Sequence, residues 1–242
     1  MKKLLLILLC LPIMLSAQTN ILTACDSYTW NDSTYTQSGN YYNFLQLGAD
    51  IDGEAGEDQS GFSVSLSSDG NTLAVGAPSN DGNGSVSGHV RIYSWDGSSW
   101  NQLGADIDSE VADDENGYSV SLSSDGMTVA IGAYLNDGNG SASGHVRIYS
   151  WDGSSWNQLG ADIDGEAAGD KSGWSVSLSS DGMTVAIGAI LSSENGSNSG
   201  HVRIYSWDGI SWNQLEADID GEAGGDQSSF SVSLSSDGMT VA

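Results

Sequence analysis

Apolar and small polar residues alternate in short runs along most of this chain. Phe62-Ser63-Val64-Ser65-Leu66 has a period of two, which sends successive side chains to opposite faces of a strand. Asp69-Gly70 follows and predicts a two-residue hairpin turn of the I′ kind, because glycine takes positive φ without steric cost. Leu73-Ala74-Val75-Gly76-Ala77 is the second strand, and its small residues suit an inner strand near a crowded axis. An Asn-, Gly- and Ser-rich loop, residues 78–87, leads on. Residues 89–95 form a third strand, with Val90 and Ile92 on one face and His89, Arg91, Tyr93 and Trp95 on the other. Asp96-Gly97 marks another turn, and residues 100–103 open a fourth strand. No segment carries a helical period.

This pattern repeats. SGHVRIYSWDGSSWNQL at 87–103 returns at 143–159 and, with one change, at 199–215, so that His89, His145 and His201 are 56 residues apart. Such a fixed spacing marks a repeat architecture. The periods are 46–101, 102–157, 158–213 and a partial 214–242. Hairpin-linked strands make antiparallel sheets, which argues against a parallel β-helix, whose period would be much shorter. An immunoglobulin-like sandwich needs about 100 residues, so 56 are too few. One four-stranded sheet per repeat fits a β-propeller blade, and about four to eight blades close a ring. The expected fold is therefore all-β, an incomplete β-propeller of about three four-stranded antiparallel blades plus partial ones. The last residues, Met239-Thr240-Val241-Ala242, stop where earlier copies continue with Ile-Gly-Ala. This suggests a piece of a longer protein; the alternative is a short form that closes by oligomerising.

FSVSLSSDGNTLAVGAP at 62–78, followed by SGHVRIYSWDG, resembles the FG-GAP repeat of the integrin alpha-chain propeller type in its bacterial secreted form. YSVSLSSDGMTVAIGA (118–133) and WSVSLSSDGMTVAIGA (174–189) repeat the same pieces, and the resemblance spans 44–242. The SSDG…LA piece alone is also similar to WD40-like blades. The resemblance implies a secreted or surface propeller used for adhesion or ligand binding. It also implies a DxDxDG-like calcium loop between the first two strands, but residues 67–72 hold one carboxylate there, Asp69, so that metal site does not carry over.

Residues 1–17 read as a signal peptide: Lys2 and Lys3, an apolar run at 4–15, then Ser16-Ala17. The run is shorter than the roughly 20 residues that cross a bilayer, and no second long apolar segment follows. The expected location is extracellular, secreted or at the cell surface, with no membrane insertion once the signal is removed. Residues 18–43, rich in Thr, Tyr and Asn, form a separate segment in which Tyr28, Trp30 and Tyr35 suggest short strands. ACDSYTWNDSTYTQSG at 24–39 resembles the opening of a Cys-containing repeat of Bacteroidetes surface proteins; a plain leader segment is the alternative. Its Cys25 is left without a partner after signal removal, which points to a missing or intermolecular one. The chain carries 32 acidic against 6 basic residues, a net charge of −26, which repels nucleic acid and anionic membrane and attracts cations.

More than half of the acids lie in four connectors, each beginning DID. Asp50, Asp52, Glu54 and Asp58 recur as Asp106, Asp108, Glu110 and Asp114, as Asp162, Asp164, Glu166 and Asp170, and as Asp218, Asp220, Glu222 and Asp226. Calcium takes about 6–8 oxygen ligands, and alternating acids in an extended segment can converge on one ion. These sixteen residues are the candidate metal ligands; a solvated acidic loop is the alternative. Loop 80–84, NDGNG, recurs at 136–140 and becomes SSENG at 192–196, the composition of an ordinary flexible loop; weak metal or glycan contact is the alternative. His89 and Arg91, with their copies, read as packing against a neighbouring blade with the arginine paired to an acid. Trp95 and Trp100 read as a cross-strand pair; an exposed platform for sugars is the alternative. A catalytic centre needs residues that occur once and converge, whereas nearly every acid, His and Trp here recurs in register. The reading is a non-catalytic binding module whose partner is an extracellular protein or glycan. The alternatives are a glycan-active enzyme with its catalytic residues elsewhere, and a calcium-stiffened spacer.

Overall fold

The structure, a computed structural model, describes residues 46–242 and, before them, four backbone strands within 18–43. The signal segment and Cys25 lie outside the described residues. The chain divides into two compact units, Met1–Ala49 and Asp50–Ala242. In the first, β1 (Gln18–Leu22) pairs antiparallel with β4 (Gly39–Asn43), and β2 (Tyr28–Trp30) with β3 (Ser33–Tyr35).

The second unit holds three antiparallel sheets, one per repeat. The first is β5 (Ser63–Leu66), β6 (Thr72–Ala77), β7 (His89–Trp95) and β8 (Trp100–Gln102), with β9 (Ile107–Asp108) returning to pair with β7. The second is β10 (Ser119–Leu122), β11 (Thr128–Ala133), β12 (His145–Trp151), β13 (Trp156–Gln158) and β14 (Ile163–Asp164), paired in the same way. The third is β15 (Ser172–Leu178), β16 (Thr184–Ala189), β17 (His201–Trp207) and β18 (Trp212–Asp220). Residues 221–242 begin a further repeat, with one bridge between Leu234 and Val241. These are propeller-type blades, all-β and without a closed sheet among the described residues.

Each sheet has two apolar faces and covers neither by itself, so the cores lie between sheets. Ala74, Val90, Ile92 and Ile107 of the first sheet meet Leu122, Val129 and Ile131 of the second. Ala130, Val146, Ile148 and Ile163 of the second meet Leu178, Val185 and Ile187 of the third. Full burial of each such aliphatic chain contributes about 1.5–3 kcal/mol. Leu122 and Leu178 are 7% exposed, whereas the equivalent Leu66, whose face carries no neighbouring sheet in this unit, is 57% exposed.

The Ser-Val-Ser-Leu strands of successive sheets approach one another at their free edges, and their serines explain the alternation. Ser65 Oγ accepts from Leu122 N–H at 2.9 Å, and Ser121 Oγ from Leu178 N–H at 2.9 Å. Ser63 Oγ donates to Gly117 C=O at 2.7 Å, and Ser119 Oγ to Gly173 C=O at 2.8 Å. Backbone bonds run along the same line, from Ser68 N–H to Ser124 C=O and from Ser124 N–H to Ser180 C=O. These bonds satisfy edge groups that a lone strand would leave open.

The small residues Ala74, Gly76 and Ala77 sit on the second strand as expected, and two other local features differ from the pattern-based expectation. Gly76 is small because the next repeat presses on it: a Cβ there would lie 2.1 Å from Gly117 O. The Asp69-Gly70 turn is not of the I′ kind, which needs positive φ at both central residues. It closes from Gly70 N–H to Ser67 C=O, with positive φ only at Gly70 (+72°), and Asp69 accepts from Ser67 Oγ and Asn71 N–H. The fourth strand stops after Gln102, and Gly104 beyond it is left-handed (φ +83°) under the Trp151 ring. In the third repeat the strand runs on as β18, with Glu216 at that position and φ +56°.

Two outcomes follow for stability. Gly132→Ala, whose Cβ would meet Gly173 O at 2.1 Å, is expected to cost about 1–3 kcal/mol or more in denaturant melts. Glu216→Gly relieves a left-handed non-glycine residue and is expected to gain on the order of 1 kcal/mol in the same assay.

Candidate functional site

Antiparallel register brings the start of β5, the end of β6 and the start of β7 to one end of the sheet, since Ser63 faces Gly76 and Ala77 faces His89. The acidic connectors, the 78–87 loop and the His–Arg pairs gather there, repeat by repeat.

At each repeat a buried arginine ties two successive connectors together. Arg91 pairs with Glu54 of the connector before it and, at 3.3 Å, with Asp106 of the one after. Arg147 holds Glu110 at 2.7 Å and Asp162 at 2.8 Å. Arg203 pairs with Glu166 and, at 3.0 Å, with Asp218. The histidine two residues earlier faces the same aspartate: His89 to Asp106 at 3.8 Å, His145 to Asp162 at 3.7 Å, His201 to Asp218 at 3.6 Å. Burial is the largest single influence and works against the Asp162 charge, yet the hydrogen bonds from Arg147 and Gln158 and the nearby Arg147 charge together outweigh it and hold that carboxyl below its usual range. Burial, reinforced by Arg147, draws His145 down to about 4 against the opposing pull of Asp162, Asp114 and Glu110.

The four acids of one connector are thus shared among different partners. In the second connector, Asp106 goes back to Arg91 and Glu110 forward to Arg147, while buried Asp114 accepts from Ser109 Oγ and Asn136 Nδ2. Asp58 likewise accepts from Asn80 Nδ2 and Ala55 N–H. Asp170 and Asp226 accept from Ala167 N–H and Ala223 N–H. Asp50, Asp52, Asp108, Asp220 and Glu222 are exposed. Acids converge instead around the histidines, as Glu54–His89–Asp106, His145–Asp162–Asp164 and Glu166–Glu194–His201–Asp218, with donor atoms within 4.8 Å of one another in each group. Burial and the neighbouring Asp162 raise Asp164. The loop between the first two strands does not fit calcium, because Asp69 is spent on the turn.

The 80–84 loop is a blade clasp. Asn80 is buried on Asp58, and Asn83 Nδ2 donates to Ser109 C=O across the repeat at 2.6 Å. The Trp95–Trp100 pair forms as its register predicts, with centroids 5.4 Å apart. The second tryptophan also staples blades: Trp156 Nε1 donates to Leu103 C=O at 2.8 Å. One feature escaped sequence reading. Phe62, Tyr118, Trp174 and Phe230 occupy one equivalent position per repeat and form a continuous row, with centroids 4.8, 4.8 and 5.8 Å apart. Tyr134 packs into this row, and Lys171 Nζ lies 5.1 Å from its ring centre. The 56-residue recurrence of an aromatic residue before SVSL was the available signal.

Sheets of this kind, stacked through their faces and linked by short connectors, define a β-propeller repeat protein. The FG-GAP repeat model matches residues 49–93, 108–149 and 161–205, more than half of the chain, and the chain belongs to the FG-GAP repeat family. No curated protein matches it in sequence. Among solved structures, a putative 6-phosphogluconolactonase from Bacteroides uniformis is similar with a TM-score of 0.50 at 13% identity, over 89% of this chain and 55% of that one. Hydrazine synthase of Kuenenia stuttgartiensis is similar at 0.45 and 14% identity, over 80% of this chain and 44% of that one. The chain spans about half the length of these structures.

The His145 depression carries a pH signature. A base that is harder to protonate when folded leaves the unfolded state holding more protons, so stability falls as pH drops from about 6.5 towards about 4. Melting temperatures across this window are expected to decline, and His145→Asn to flatten part of the decline.

Proposed function

We propose that this chain is the binding part of a secreted or cell-surface protein, non-catalytic, meeting a glycan-bearing extracellular partner through one end of its blades. The observation that carries this reading is the aromatic row of Phe62, Tyr118, Trp174 and Phe230 beside the loops and connectors. Phe62 and Phe230 are 52% and 65% exposed, and Tyr118 and Trp174 are half-buried. Flat apolar rings match the C–H faces of sugars, and adjoining Asn, Asp and backbone groups match their hydroxyls. Equivalent weak contacts from successive blades would add through multivalency. The histidines, arginines and acids recur in register and are engaged with one another, which suits packing rather than a single reaction centre. The lactonase-like neighbour shares the fold at an identity that carries no substrate across.

Affinity electrophoresis through gels containing neutral β-glucan, mannan or mucin glycoprotein tests this. Retardation by at least one of them is expected, reduced on the order of tenfold by Trp174→Ala, a loss of about 1.4 kcal/mol, read well below the melting transition of the variant. Unretarded migration in all three gels counts against the glycan reading.

A further inference from the structure

The third repeat departs from the other two at one loop. Where the first copies read Asn80-Asp81-Gly82 and Asn136-Asp137-Gly138, the third reads Ser192-Ser193-Glu194. In the first two, the aspartate caps its own loop, accepting from Val86 N–H and Ala142 N–H, and the asparagine holds the buried connector acid. In the third, Ser193 Oγ takes the capping role towards Asn198 N–H. The acid has moved one residue on, from the cap to the edge of the His–Arg cluster.

The consequence is a four-donor group found in no other repeat among the described residues: Glu166, Glu194, His201 and Asp218, with one donor atom from each inside a 4.8 Å span. Two of them, Glu166 and Glu194, line a cleft of about 390 Å³ together with Asp170, Ser192, Ser193 and Asn198. His201 is 2% exposed, and its Nδ1, which faces Asp218, has no hydrogen-bond partner. A buried polar nitrogen without a partner costs about 1–3 kcal/mol, and a metal ion would satisfy it. Charge points the same way. Glu166, Glu194 and Asp218 against Arg203 leave two negative charges, which a divalent cation balances.

We propose that Glu166, Glu194, His201 and Asp218 bind a divalent transition-metal ion of the zinc type. Imidazole nitrogen selects such ions over calcium and magnesium, which prefer oxygen alone. Donor atoms around a tetrahedral zinc lie roughly 3.3 Å apart, so the arms must close by about 1 Å or more. Glu166 and Glu194 are exposed and can swing inward. Arg203 and Gln214, which donate to Asp218, then act as the outer hydrogen bonds that orient a ligating carboxylate. This site is independent of the glycan reading.

Calorimetric titration of the untagged full chain with zinc, and visible absorption of its cobalt-substituted form, test the proposal. One zinc per chain is expected, with cobalt bands that show nitrogen ligation and no displacement by equal calcium. Glu194→Gly installs the residue of the other two repeats and leaves the metal-free melting temperature in place. It is expected to weaken zinc on the order of tenfold or more, and His201→Asn to abolish the cobalt bands. Absence of zinc binding, zinc affinity unchanged by Glu194→Gly, or calcium binding as tight as zinc would each overturn it.

Discussion

A four-stranded sheet with apolar residues on both faces is unstable in water until another sheet covers it. The rest of this structure answers to that constraint. Closing two sheets over their shared core forces the innermost strands together, and the backbone of Gly117 reaches Gly76 so closely that no side chain fits between them. The serines of SVSL are the complement. They are small enough for the approach, and their hydroxyls bond the edge N–H and C=O groups that the free edges present. Apolar burial draws the repeats together, while these hydrogen bonds fix the register in which they meet.

The charged groups follow the same geometry. Each connector must pass from the outer strand of one sheet to the inner strand of the next, and each buried arginine fastens the connector before it to the connector after it. The strongly acidic composition is thereby partly drawn into the blade interfaces. Such pairs repay their desolvation only when complete, so removing one member leaves a buried uncompensated charge. The third repeat shows how little is needed to alter such a cluster: one acid displaced by one residue changes both its charge and its donor set.

An FG-GAP propeller repeat presents near-identical surfaces side by side, and its loops diverge while the sheets stay constant. The contrast between NDGNG and SSENG is an instance. Sheet positions are constrained on both faces by neighbouring repeats, whereas a loop position answers only to its own turn and to whatever it touches. Specific chemistry in such an array therefore sits where one copy breaks the repeat.

Much was legible in the residues alone. Alternation over Phe62–Leu66 and His89–Trp95, punctuated by Asp-Gly turns, was enough for the strands, their order and the facing of Val90 and Ile92, because side-chain period and turn chemistry are local properties. The 56-residue recurrence was enough for the repeat and the propeller class. The form of the Asp69-Gly70 turn is local as well, set by Ser67 and Asn71. Other features depended on what lies across the interface: Gly76 is small because of Gly117. Acids adjacent in one connector part company because the arginines that claim them stand on different blades. Tertiary structure alone decided these last two points, since packing partners on a neighbouring repeat set them and no local pattern records which blade a side chain will face.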